Sequence, residues 1–206
     1  MSDNSILSKL FAILRDEAEV FLLESITGTG DAERLAGLID SFCFEQFNSR
    51  VSTCYFACLS MGASFGLRLV NGNDIFIKIS KLRTETSGDR GFTVDDLTAM
   101  SRMQEALYNA NYPCPSVILH PKKYQGAIYT VNGYVDIGEQ KDAHCPNIRR
   151  ASAHGLAELI KRFFSISLRV VSTKSIYIKL KTYFLRPIIP IRILLLLHQL
   201  NIAQTC

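Results

Sequence analysis

The sequence predicts an α+β fold: helices at the N-terminus, then a five-stranded antiparallel sheet with one helix packed against it. Three observations carry that prediction. Between Val51 and Ile79, runs rich in β-branched and aromatic residues are separated by short small-residue turns. A single stretch of helical spacing, Val94 to Ala110, interrupts the strands and is closed by Pro113 and Pro115. Two further strand-like runs follow, Val117 to His120 and Ala127 to Val135. Runs of antiparallel strands with one inserted helix define an α+β sheet with a helix on one face.

Taken in order, Ser5 to Glu24 has apolar residues at three- and four-residue spacing and predicts one helix. Thr27-Gly28-Thr29-Gly30 breaks it, and Asp31 is placed to cap a second helix from Ala32 to about Asn48. Both read as packing elements without chemistry. Val51 to Ser60 is the first strand, Met61 to Ser64 a turn, and Phe65 to Val70 the second strand. Asn71-Gly72-Asn73-Asp74 is a hairpin turn, because Asn and Gly tolerate positive φ. Ile75 to Ile79 is the third strand, so the first three form a meander. Arg83 to Gly91 is a polar loop. Thr93 caps the inserted helix, with Asp95 and Asp96 in its positive first turn. The last two strands are joined by a turn holding Pro121, Lys122, Lys123 and Gly126, and Ile148 to Ile160 returns to helical spacing.

The bulk properties bound the function. A chain of 206 residues, 48% hydrophobic and 20% charged, supports one domain with a real core and argues against general disorder. The net charge of +4 is unevenly spread: all 19 acidic residues lie at or before Glu158, while 161–206 holds eight Lys and Arg and no Asp, Glu or Gly. This tail has two readings. One is a basic amphipathic segment that meets an anionic membrane surface or a partner. The other, preferred, is the composition that an out-of-frame read of an A/T-rich gene would give. Pro187, Pro190 and Arg192 interrupt its apolar run, which excludes a bilayer span. The basic residues are spread among aliphatics without a recognition module, so nucleic-acid binding is not expected. Charged residues from Asp3 to Glu19 interrupt any signal-peptide core. The six scattered cysteines read as reduced thiols, the expectation for a cytoplasmic chain. They and His120, His144, His154 and His198 show no metal-ligand spacing.

Within this frame, four segments stand out: Ser60-Met61-Gly62-Ala63-Ser64-Phe65-Gly66; Ile77-Lys78-Ile79; Tyr112-Pro113-Cys114-Pro115; and Tyr129 to Asp136. In their order and spacing they resemble the N-terminal lobe of the protein-kinase-like fold. The local sequence is most similar to the aminoglycoside phosphotransferase family and its choline kinase relatives, over roughly Val51 to Ile160. The resemblance implies an ATP site. Gly62 and Ser64 would belong to the loop over the phosphates, Lys78 would grip the α- and β-phosphates, and backbone groups at Tyr134 and Val135 would meet the adenine edge. It divides the chain into N-terminal helices (1–49), a kinase-like small lobe (50–136), a connector with the first large-lobe helix (137–160) and the tail (161–206).

The pattern also departs from the family. The acid that pairs with the strand-three lysine should fall near Met100, and Asp96 and Glu105 are each about a turn away. Phe76 stands where the family prefers a smaller residue against the adenine. No catalytic loop or later metal-binding Asp follows, since no Asp lies beyond Asp142. The expectation is therefore a truncated ATP-dependent small-molecule phosphotransferase, inactive alone, with no catalytic residue, and with magnesium only where a complete site exists. The alternative is a non-catalytic nucleotide-binding or regulatory, pseudokinase-like protein that uses its tail for a membrane surface or partner.

Overall fold

A computed structural model describes residues 5–83, 91–135 and 144–170, the last eight by backbone alone. The tail from 171 onward and the segments 84–90 and 136–143 lie outside the described residues, and with them the two readings of the tail.

The N-terminal region forms three helices: α1 (Ile6–Ile13), α2 (Glu17–Thr27) and α3 (Ala32–Phe47). The single helix expected from Ser5 to Glu24 is thus corrected to two. Asp16 adopts an extended conformation and its carboxylate accepts the Glu19 N–H at 3.0 Å, so a new helix starts where apolar spacing alone ran on. Asp31 caps α3 as expected, accepting the N–H groups of Glu33 and Arg34 at 2.9 and 3.1 Å. Asn48 closes that helix in the left-handed conformation, φ 50°.

Five strands follow: β1 (Val51–Leu59), β2 (Ala63–Leu69), β3 (Asp74–Lys81), β4 (Val117–Tyr124) and β5 (Ala127–Gly133). They form one open antiparallel sheet in the order β1-β2-β3-β5-β4. Helix α4 (Val94–Asn109) lies between β3 and β4 in sequence. Its start is a reciprocal cap in which Asp96 N–H donates to Thr93 Oγ1 at 3.1 Å and Thr93 N–H to Asp96 Oδ2 at 3.3 Å.

β4 runs four residues past His120, through Pro121 and both lysines that the sequence assigned to a turn. An edge strand tolerates a proline because one side of it needs no ladder partner, and the register shifts between Leu119 and Lys122. The turn itself is Gln125-Gly126, both at positive φ (46° and 85°), the geometry of a two-residue hairpin. β5 stops at Gly133, two residues before the expected end.

The chain forms two compact units. In the first, residues up to Gln104 with Pro115 to Tyr134, helices α1 to α3 cover one face of the sheet. Phe65, Leu67, Ile75, Ile77, Ile79, Tyr129 and Val131 point into that core. Phe42 of α3 packs on Tyr129 and Tyr124 with ring centroids 4.6 and 5.1 Å apart. In the second unit, the end of α4 meets α5 (Pro146–Val170), a helix that extends beyond the expected Ile160. Tyr112 Oη donates to Gly155 O at 3.4 Å. Arg162 lies over the Tyr112 ring, pairs with Glu158 at 2.9 Å and donates to Ala110 O at 2.6 Å. Among the described residues, no helix is long and apolar enough to cross a membrane.

Candidate functional site

Strand alternation divides β3 into two sets. Ile75, Ile77 and Ile79 enter the helical core and are fully buried. Phe76, Lys78 and Ser80 face the other way. Pairing then decides what surrounds the lysine: Lys78 is opposite Ser64 of β2 on one side and Thr130 of β5 on the other. Ser64 is opposite Cys58 of β1, so a hydroxyl and a thiol continue the same row. One step along the strand, Phe76 lies between Gly66 and Asn132.

The start of α4 covers part of this face. Gln104 Nε2 donates to Asn132 Oδ1 at 3.1 Å and to Pro115 O at 2.9 Å, and Ser101 Oγ lies 2.8 Å from His120 Nδ1. Gly133 comes so close to Ser116 that a Cβ there would lie 2.7 Å from Ser116 Oγ. These contacts fix the helix over β4 and β5.

Lys78 is the chemically distinctive group of the face. Burial holds its ammonium down to about 8 from an ordinary 10.5. Among the described residues it has no ion-pair or hydrogen-bond partner, and desolvation alone accounts for the shift. Asp96, one of the two acids about a turn from the expected position, is instead turned back on Thr93. The lysine stem lies beneath the β1–β2 turn: a Cβ at Gly62 would sit 3.3 Å from Lys78 Cε and 2.7 Å from Ile79 O. Only glycine lets the turn close over the lysine at that distance.

The residues singled out in the sequence therefore separate. Gly62, Ser64 and Lys78 come together. Ser64 is a buried strand residue opposite the lysine; the turn is confined to Ser60 to Gly62. Tyr134 lies further along the same face, its ring on Gly66 and its N–H donated to Asp74 O at 3.3 Å. Val135 belongs to the second unit and is exposed. Thr130 and Asn132 were missed, because their place beside Lys78 depends on β5 inserting between β3 and β4. Gly66 was quoted only as part of the turn, although its missing side chain admits the Tyr134 ring.

Among the described residues, the other titratable groups show no comparable arrangement. Burial raises the thiols of Cys43 and Cys54 to about 12 and about 11, which leaves them protonated core groups. The five described cysteines form no disulfide, and no cluster of metal-ligating side chains occurs among the described residues. A shallow hollow of about 490 Å³ is lined by Leu14 to Asp16, between α1 and α2, and by Glu17, Val20, Phe21 and Glu24 of α2, and Lys78 is not part of it.

The sequence matches no protein-family model, and no curated protein matches it significantly.

Proposed function

We propose that the Lys78 face binds the phosphates of a nucleotide, and that the first unit is the small lobe of an aminoglycoside phosphotransferase-like, kinase-like fold. One observation carries the reading: a desolvated lysine that has no acidic partner among the described residues, opposite Ser64 and beneath Gly62. A half-buried, desolvated ammonium is costly unless it meets an anion. A phosphate oxyanion would neutralise it, and the Ser64 and Thr130 hydroxyls flank it as donors. The order of elements, three strands, one helix and two strands, supports the kinase-like assignment.

The proposed activity is binding. Phosphoryl transfer needs a base and metal-holding carboxylates near the γ-phosphate. Within these 206 residues no Asp lies beyond Asp142, and the proposal extends to binding alone. The form of the reading proposed is the non-catalytic, pseudokinase-like one, in which Lys78 meets a phosphate and, among the described residues, pairs with no acid. Magnesium is not required for it.

Calorimetry with ATP, on the wild-type chain and on Lys78→Ala, tests the proposal. Saturable binding that the substitution abolishes is the expected result. Equal binding by both chains would place the nucleotide elsewhere, and no binding by the folded wild type would end the reading.

A further inference from the structure

The Lys78 face has a second half, built around Gly66. Gly66 and its register partner Phe76 form a floor beside Asn132. Gly66 is buried, and the ring of Tyr134 rests where its side chain would be. A Cβ at Gly66 would meet Tyr134 Cε2, with Cδ2 at 3.0 Å and Cζ at 3.1 Å. Tyr55 stacks on the Tyr134 ring, with centroids 5.5 Å apart and planes inclined at 25°.

Asp74 holds this stack in place. It accepts from Tyr55 Oη at 3.1 Å and from Arg68 Nε and Nη2 at 2.9 and 2.8 Å. Its carbonyl receives the Tyr134 N–H at 3.3 Å. Arg68 also lies over the Tyr55 ring, 5.8 Å from its centroid. Tyr134 is thus a flat aromatic group on a glycine floor, one strand step from the lysine row, with its position set by partly exposed polar contacts.

We propose that Tyr134 is a plug: it fills the part of the Lys78 face where a flat base would stack, so the face accepts a phosphate group while excluding the base. This rests on the phosphate reading of Lys78. The ligand of the closed form is a compact polyphosphate or phosphate ester, and a nucleotide gains from its base only after Tyr134 leaves Gly66. The surface position of Arg68 and Asp74 makes that movement accessible, because exposed ion pairs contribute little to holding a side chain.

The test compares two probes, inorganic tripolyphosphate and ATP, by calorimetry in magnesium-free buffer. Wild type should bind both with affinities within a few-fold of each other. Tyr134→Ala should leave tripolyphosphate unchanged and tighten ATP about tenfold, the scale of one base-stacking contact. Tyr55→Ala releases the ring without altering the floor and should act in the same direction as Tyr134→Ala, which provides a second route if that variant melts early. If tripolyphosphate binds but neither variant changes ATP affinity, the plug is overturned and the phosphate reading stands. If wild type already prefers ATP about tenfold and Tyr134→Ala removes the preference, Tyr134 stacks on the base and the plug is again overturned. If no folded variant binds tripolyphosphate or ATP, the phosphate reading falls and the plug with it.

Discussion

The two faces of the sheet are built from alternate residues of the same strands and differ in every physical respect. On one face, Ile75, Ile77 and Ile79 meet three helices and an aromatic cluster, and apolar area is removed from water without leaving a charge behind. On the other, Phe76 and Lys78 alternate with them, partly covered, and the charge is left without a protein partner among the described residues. The first face stabilises the fold. The second costs stability and is the face proposed as a site, the usual relation between a core and a binding surface.

The sharpest way to break this contrast is substitution on both sides. Phe42→Ala removes the ring that packs on Tyr129 and Tyr124, and should cost about 3–5 kcal/mol in denaturant unfolding. Lys78→Met should move stability in the opposite direction. It removes the desolvated ammonium while keeping the stem, and should stabilise the chain by about 1–3 kcal/mol at pH 7 while abolishing phosphate binding. A loss of stability in Lys78→Met would mean the lysine is an internal structural partner, and the contrast would fail.

The pH dependence sharpens the same point. The folded lysine ionises near 8 and the unfolded one near 10.5. Between those values the unfolded chain binds more protons, so the contribution of this group to stability rises with pH. Below 8 both forms are protonated and the penalty is complete. The stability gap between Lys78→Met and wild type should therefore narrow from pH 8 to 10.5, and phosphate affinity should fall above pH 8 as the free lysine loses its charge. Parallel melts of the two chains isolate this from other ionisations.

Smaller effects test the supports of each face. Gly62→Ala would bring a methyl to 2.7 Å from Ile79 O, and should cost about 1–3 kcal/mol and weaken phosphate binding, since the turn would lift from Lys78. Asp31→Ala lies on the helical side and removes two N-cap hydrogen bonds. It should cost about 1 kcal/mol in thermal unfolding and leave binding unchanged.

Much of this was legible from local chemistry. The caps at Asp31 and Thr93, the Asn71-Gly72 turn and the alternation of Ile75, Ile77 and Ile79 with Lys78 are all set by neighbours in sequence. The break at Asp16 was missed because apolar spacing continues across it, whereas the carboxylate acts on the backbone. The length of β4 was missed because Pro121 reads as a turn residue until the strand is known to be an edge.

By itself the sequence determined the five strands and the inserted helix, the face on which Lys78 stands and the lack of an Asp beyond Asp142. Those follow from periodicity and composition, which act over a few residues. Only tertiary structure decided that β5 enters between β3 and β4, bringing Thr130 and Asn132 beside Lys78 and Phe76, and that Tyr134 rests on Gly66. The physical reason is that strand pairing is a contest among backbone donors far apart in the chain. Its outcome is fixed by which apolar faces can be buried together, and no local window of sequence contains that information.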